Sequence, residues 1–222
     1  MNGVRYWFPN CHFFLAADGI APYQAAIEGR VAKYEEFKRR VEQKVITGEW
    51  PNVTYNAFTT REHQCGAIHW ALPQMTEEFV LIQEHDCPIR TDVPIPWEVF
   101  LNGLRDQTFN VVRLPWCGHG KMHPDHEGLI YDHITYMNEP FLRVHQWSGW
   151  PHIARTEWYK DMARAVIPRG GKMVEDSIYG IAQNNPDYFR IAMWQAHDPA
   201  EMRFYHRDGR NDPATGLRDQ RD

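Results

Sequence analysis

The stretch Glu78-Phe79-Val80-Leu81-Ile82-Gln83-Glu84-His85-Asp86 decides the fold that we predict for this chain. Its apolar middle predicts a buried strand of a mostly parallel sheet, in which helices cover both faces. Ligands bind beyond the carboxyl ends of such strands, which is where Glu84 and Asp86 fall. Because residues two apart lie on the same side of an extended backbone, the two carboxylates can face one ion. Mg²⁺ and Mn²⁺ take oxygen ligands of this kind; a solvated acidic turn is the alternative interpretation.

Length and composition are those of a globular α/β protein. The chain has 222 residues, of which 43% are hydrophobic and 14% aromatic, so a sizeable core is available. The formal net charge is -5, so a DNA contact would need a local basic patch. No apolar segment reaches the roughly 18 residues of a membrane span, and residues 1–9 lack a signal-peptide pattern. The four cysteines are predicted to be reduced thiols of a cytoplasmic protein.

The remaining predicted elements follow from hydrophobic periodicity and from turn residues. Helices are predicted over 23–44, 63–72, 97–104, 153–166 and 177–182. Further strands are predicted over 11–17, 53–56, 110–114, 141–147 and 191–194. No internal repeat or linker is evident, so one domain is the economical interpretation.

Polar residues follow the first of these strands and precede the helix over 63–72. A strand that ends in a tight turn can direct its carboxylate toward a ribose or a base. The candidate donor contacts are Asp18, Gly19, Arg61 and His63. The alternative interpretations are an ordinary strand-ending turn for Asp18 and Gly19, and plain polar surface groups for Arg61 and His63.

A second acidic pair, Glu175 and Asp176, stands at the start of the predicted helix that follows Gly170 and Gly171. Acids at a helix start gain from the helix dipole, so capping alone can explain them. A carboxylate at this place in a cleft is also what a general base requires.

A third group of candidate ligands lies in a loop rich in histidine. Thiolate and imidazole groups can bind Zn²⁺, but this spacing matches no common zinc finger, and we predict a mobile loop over the active site. The residues are Cys117, His119, His123, His126 and His133.

Taken in order, these features resemble a small GT-A-type, family-2-like nucleotide-sugar glycosyltransferase of the kind found in phages and bacteria. The features are the strand before Asp18-Gly19, the helix over 63–72, Glu84-His85-Asp86, the aromatic turn before His152, Glu175-Asp176 and the late His206. The resemblance implies a single GT-A-like domain over 1–210 and a polar tail over 211–222. The nucleotide-binding part is abbreviated: either Val4 to Phe8 is a short first strand, or the nucleotide pocket is trimmed.

The resemblance also implies roles for these residues. Glu84-His85-Asp86 stands where the family has Asp-x-Asp, with Glu in place of the first Asp, and His206 would complete a Mn²⁺ or Mg²⁺ site. Asp176, or with less support Glu175, would be the catalytic base, and Asp18 would contact the nucleotide base of a UDP-sugar donor. We assign the acceptor side to the aromatic turn, that is, to Trp147, Trp150 and His152.

The function that follows is metal-dependent and inverting transfer of a sugar to an acceptor hydroxyl. The resemblance extends to small phage enzymes that glycosylate hydroxymethylated pyrimidines in DNA. The basic clusters at 164–172 and 203–210 favour such an acceptor in double-stranded DNA, in the host cytoplasm, over a polysaccharide or a lipid-linked acceptor. We predict no obligate protein partner. The competing classes are a non-catalytic zinc module built on the histidine-rich loop and a hydrolase that uses Glu84, Asp86 and Glu175.

Overall fold

The computed structural model describes residues 2–114, 130–145, 147–195 and 204, and within them the chain has an α/β fold. The helices are α1 (Asn2–Trp7), α2 (Pro22–Ala25), α3 (Arg30–Ile46), α4 (His63–Ala71), α5 (Trp97–Arg105), α6 (Thr156–Val166), α7 (Val174–Asn184) and α8 (Pro186–Phe189). The strands are β1 (Phe13–Ala17), β2 (Val53–Ala57), β3 (Phe79–Ile82), β4 (Val111–Arg113), β5 (Ile130–Tyr136), β6 (Glu139–Val144), β7 (His152–Arg155) and β8 (Ile191–Trp194).

The strands form a two-stranded parallel sheet, β1 with β2, and a six-stranded sheet in the order β3-β7-β4-β8-β6-β5. Within the larger sheet as described, β4 and β8 pair in parallel and the other neighbours are antiparallel. The α/β class is therefore confirmed, whereas the sheet is mixed rather than mostly parallel. The difference arises because β7, between β3 and β4, and β6, between β8 and β5, run opposite to the other four strands.

The larger sheet has a separate apolar cluster on each face, because successive residues of a strand point in opposite directions. Val111 and Ala154 belong to the cluster that α6 and α7 cover, whereas Val112 and Ile153 belong to the cluster that α5 covers. Phe100 of α5 is fully buried, and burial of such a side chain contributes about 1.5–3 kcal/mol. Packing in the two clusters holds the strands in place, and acidic residues such as Glu84 follow the strand ends.

The beginning of the chain differs from the short first strand that we considered for Val4 to Phe8. Residues 2–7 form α1, and Val4 is buried with the α5 cluster. The Phe8 ring packs edge-on against Trp97, with 4.9 Å between ring centroids. The segment is therefore helical, because its apolar side chains dock on α5 instead of extending the sheet.

Two predicted helices have different boundaries in the structure. The helix over 23–44 is divided into α2 and α3, because Gly29 adopts a left-handed conformation with φ 70° and interrupts it. The segment predicted as a helix over 153–166 begins as strand β7, and α6 starts at Thr156. Four residues are too few for a period to be recognised, and pairing with β3 and β4 holds them extended.

Among the described residues, no helix has both the length and the apolar character needed to cross a membrane.

Candidate active site

The register of the larger sheet brings the predicted acids to one edge. Ile82, the last residue of β3, pairs with His152, the first residue of β7, and Arg113 at the end of β4 pairs with the same His152. Glu84 lies two residues beyond β3, so it reaches the turn that precedes β7. The site is thus built where β3 and β4 end and β7 begins.

Glu84 is held by a side chain from α4. The Gln64 amide donates from Nε2 to Glu84 Oε1. The Oε1 atom of Gln64 accepts the backbone N–H of Val174 at 3.1 Å. Gln64 therefore connects the end of β3 with the start of α7, and no pattern in the sequence predicted this role.

Glu175, in the first turn of α7, faces the same place. Its Oε1 accepts the backbone N–H of Gly149 at 2.8 Å. A Cβ on Gly149 would lie 2.5 Å from Glu84 Oε1 and 3.2 Å from Gln64 Nε2. Gly149 is therefore the spacer between two carboxylates, and its lack of a side chain lets both approach the turn.

The Glu84 carboxyl is less acidic than an ordinary glutamate. Burial, the largest cause, and the negative charges of Asp86 and Glu175 together raise its pKa to about 7. The three groups form one electrostatic cluster, because the charges of Asp86 and Glu175 both disfavour ionisation of Glu84. A cluster with this property is a candidate functional site.

A buried cation lies beneath the cluster. Arg113 is 3% exposed, and burial lowers its pKa to about 10, whereas the charge of Glu175 acts to raise it. Its guanidinium carbon lies 5.5 Å from the centre of the Trp150 ring. The arginine at the end of an otherwise apolar strand was a signal for this residue, although we did not assign it a role.

Asp86 lies at the edge of the site and is partly exposed. The Cys87 thiol donates to Asp86 Oδ1 across 3.7 Å. Among the described residues, no three His, Cys, Asp or Glu side chains are close enough together to hold a metal ion. His206, the predicted third ligand, lies outside the described residues, and so do Cys117, His119, His123 and His126. His133 is an exposed residue of β5, in register with Leu142.

The predicted donor contacts Asp18, Gly19, Arg61 and His63 are brought together at the start of α4. Asp18 Oδ1 accepts the backbone N–H groups of Gly19 at 2.8 Å, Glu62 at 2.7 Å and His63 at 3.1 Å. A Cβ on Gly19 would collide with the backbone of residues 60–61. In this structure Asp18 caps α4, and its contact with a nucleotide base remains a prediction.

Arg61 and His63 form a polar pair at the same helix start. Arg61 Nη2 donates to His63 Nε2 at 2.6 Å, and its guanidinium carbon lies 5.9 Å from the centre of the Tyr23 ring. Arg61 is exposed and His63 is partly exposed. Gln64 follows directly and contacts Glu84, so this pair adjoins the acidic cluster.

The three predicted acceptor contacts have different environments. Trp147 is 2% exposed and packs against Tyr159 and Phe189, and His152 is also 2% exposed. Trp150 is partly exposed and reaches from Arg113 toward the surface. Acceptor binding by all three remains a prediction, and Trp150 is the one whose side chain is accessible.

The two acids of the pair at α7 also differ. Glu175 is half-buried and contacts the turn, whereas the Asp176 side chain is exposed. The charge of Asp176 raises the pKa of the buried Cys65 thiol, an effect smaller than that of burial itself. Asp176 therefore lies beside α4, next to the cluster that contains Glu175.

The burial of His152 makes the stability of the fold depend on pH. Its Nδ1 donates to the carbonyl of Trp150 at 2.8 Å, and its Nε2 accepts from the Tyr159 hydroxyl at 3.2 Å. Burial lowers its pKa from 6.5 to about 4, so the unfolded chain binds the proton more readily. We expect the contribution of His152 to be complete above pH 6.5 and to fall by about 3 kcal/mol as the pH drops toward 4.

Urea unfolding of the wild type and of His152→Gln, at intervals between pH 7 and 4, measures this contribution. The difference between the two free energies of unfolding should change across this range, because only the wild type carries the titrating group. A difference that is constant with pH contradicts the expectation.

No protein-family model matches the chain, and no curated protein matches it. The crystal structure of S. aureus TarS 1-349 is 17% identical in sequence; the match covers 88% of this chain and 60% of that chain, with a TM-score of 0.48. The crystal structure of apo-UDP-glucose pyrophosphorylase is 12% identical; the match covers 87% of this chain and 78% of that chain, with a TM-score of 0.44. Since both TM-scores are below 0.5, the activity must be argued from the residues of this chain.

Proposed function

We propose that the chain is a glycosyltransferase that moves a sugar from a nucleotide-sugar donor, a UDP-sugar, to an acceptor hydroxyl. The observation that carries the proposal is the pair of carboxylates, Glu84 and Glu175, on the two sides of Gly149. Glu84 faces the end of β3, where a donor can bind, and Glu175 begins α7 beside the turn that carries the partly exposed Trp150. Metal-dependent transfer uses two such groups, one to hold a divalent cation at the leaving diphosphate and one to take the proton of the attacking hydroxyl.

On the donor side, the proposal assigns Asp86 and Glu84 to a divalent cation, with His206 as a third ligand. The donor set suits Mg²⁺ or Mn²⁺ in its chemistry, because it offers carboxylate oxygens. A cation there would offset the charge of Asp86, which adds to burial in raising the pKa of Glu84. When bound, the ion supplies positive charge that offsets the diphosphate as it leaves. Arg61 and His63, at the start of α4, supply hydrogen-bond donors to the same diphosphate.

On the acceptor side, the proposal assigns the base to Glu175. The Gly149 N–H fixes one oxygen of this carboxylate, and Arg113 lies beneath it. Glu175 takes the proton of the attacking hydroxyl as that oxygen bonds to the anomeric carbon, and the donor diphosphate departs with the bonding electrons. A base that activates the acceptor directly gives a single displacement, so we propose inversion.

The acceptor that we propose to test first is a hydroxymethylated pyrimidine in DNA. Arg169 and Lys172 are exposed and belong to the segment that leads into Glu175, where they can meet phosphates. A polysaccharide or a lipid-linked acceptor carrying phosphate would meet the same side chains, so an acceptor screen includes all three.

Calorimetric titration with UDP and UDP-glucose, with and without Mn²⁺, tests the donor site. We expect metal-dependent binding to the wild type and at least roughly tenfold weaker binding to Asp86→Asn, because a charged ligand to the metal is lost. Glu98→Gln is the matched control, since it removes one negative charge from α5 on the other face of the sheet. It should bind like the wild type.

Absence of binding to UDP, GDP, CDP and TDP nucleotides alike would overturn the proposal. Cleavage of a glycoside without any nucleotide would instead favour the hydrolase.

A further inference from the structure

A cavity of about 460 Å³ lies against α4, away from the acidic cluster. One wall is a face of α4 formed by Gly66, His69 and Trp70, which are three and four residues apart and therefore adjacent on the helix. The other wall carries Arg164 and Arg169. Glu84, Asp86 and Glu175 do not line this cavity, and the donor site proposed above leaves it without a role.

The α4 wall offers an aromatic surface held in place from behind. The Trp70 ring packs edge-on against Phe14 and Phe58, with centroids 6.1 and 6.3 Å apart. His69 Nε2 donates to the carbonyl of Ile167 at 2.8 Å, which fixes the helix against the end of α6. The Glu62 side chain lies over Gly66, since a Cβ on Gly66 would be 2.8 Å from Glu62 Oε2. A rigid indole beside a carboxylate suits a sugar ring, whose C–H face is apolar and whose hydroxyls donate hydrogen bonds.

The opposite wall offers positive charge. Arg164 contacts Asp161 at 2.8 Å, but both side chains are 68% exposed, and such a pair is weak. Arg169 is exposed and has no hydrogen bond or ion pair with any other described residue. Guanidinium groups bind phosphate through two parallel hydrogen bonds, so the pair can hold a phosphate at the mouth of the cavity.

We propose that this cavity binds a sugar phosphate unit of the acceptor, with the sugar ring on Trp70 and the phosphate between Arg164 and Arg169. Glu62, at the rim, accepts a hydrogen bond from a sugar hydroxyl. The assignment of this ligand to the acceptor rests on the proposed transferase function, whereas the binding itself does not.

The backbone links this cavity to the proposed base. Gly170 and Gly171 follow Arg169 with φ of 77° and 54°, a left-handed turn that glycine adopts without strain. The carbonyl of Lys172 then accepts the N–H of Cys65 at 3.2 Å. Since α7 begins two residues later, the segment 169–175 has the phosphate ligand at one end and the Glu175 carboxylate at the other.

Titration of the metal-free protein with glucose 6-phosphate, glucose and inorganic phosphate tests the cavity without any donor. We expect glucose 6-phosphate to bind more tightly than either fragment, and Arg169→Gln and Arg164→Gln each to weaken it by roughly tenfold. Lys33→Gln, which removes one positive charge from the exposed face of α3, is the control and should leave the affinity unchanged. Asp86→Asn should also leave it unchanged, so failure of the donor site does not affect this test.

Three results would overturn the proposal: no binding of glucose 6-phosphate, binding that both arginine variants leave intact, or displacement of the sugar phosphate by UDP alone. The last result would assign the cavity to the donor. A short DNA strand serves as a second probe of the same chemistry. Binding that Arg169→Gln weakens supports a polymer backbone as the source of the sugar phosphate, and absence of strand binding beside glucose 6-phosphate binding supports a small acceptor.

Discussion

Glu175→Gln is expected to lower kcat by about 10²- to 10⁴-fold, because the amide cannot take the proton of the attacking hydroxyl. The amide oxygen can still accept the Gly149 N–H, which Glu175 Oε1 accepts at 2.8 Å, so the geometry should persist. Binding of UDP with Mn²⁺ should change by less than roughly threefold, since this residue is not assigned to the donor. Steady-state kinetics with a saturating donor, beside calorimetry with UDP, separates the two effects.

Asp176→Asn is the paired variant, since it makes the same change at the adjacent position. Asp176 is exposed, so we expect a smaller loss of kcat than for Glu175→Gln. The opposite order, with a large loss for Asp176→Asn and a small one for Glu175→Gln, would reassign the base to Asp176. Equal and small losses would remove both acids from the chemistry.

Gly149→Ala is expected to lower activity by about 10- to 100-fold while leaving the fold intact. The new Cβ would lie 2.5 Å from Glu84 Oε1, which is the end of a flexible side chain and can move away. The free energy of unfolding should therefore change by less than about 1 kcal/mol, since no rigid backbone atom is in the way. The Glu84 carboxylate is displaced from its bond with Gln64, and displacement of about 1 Å at a reacting centre is costly.

Gly180→Ala is the control for the added methyl group. Gly180 lies inside α7, and a Cβ there would meet no atom within 4 Å. Alanine is the better helix former, so this variant should gain about 0.5–1 kcal/mol of stability with unchanged activity. Thermal unfolding and kinetics on the two variants give the comparison. Full activity of Gly149→Ala would show that the position of Glu84 does not matter for the reaction.

The acids of the candidate site are signalled by local sequence patterns, whereas the residues that hold them are not. Glu84 follows an apolar run of strand-forming residues, and Glu175 stands at a helix start, so local patterns located both. Gln64 and Gly149 carry no such signal, because their roles depend on which strands are neighbours. Only the register of β3 with β7 brings the turn before His152 beside the end of β3.

Strand direction was the largest error in the predicted fold, for a related reason. An apolar run such as that of β3 is typical of a buried parallel strand, but its residues also suit an antiparallel edge strand that a helix covers. Beside β3 and β4 the direction of pairing is reversed by β7, a strand of four residues whose sequence predicts the start of a helix. Short strands of this kind are held by their partners, and their own residues carry too little periodicity to identify them.

The two separate sheets have a consequence for how the molecule opens. The ladder between β1 and β2 shares no pairing with the larger sheet among the described residues, so this pair and α3 can unfold as a cooperative unit of their own. The Asp18 carboxylate crosses from the end of β1 to the first N–H groups of α4 and fastens that unit to the rest. Opening of the unit would remove this cap and loosen the first turn of α4, which contains Gln64. The hydrogen bond from Gln64 to Glu84 would then be weakened. The free energy of this local opening, which can be smaller than that of global unfolding, thus sets the fraction of molecules in which the acidic cluster is assembled.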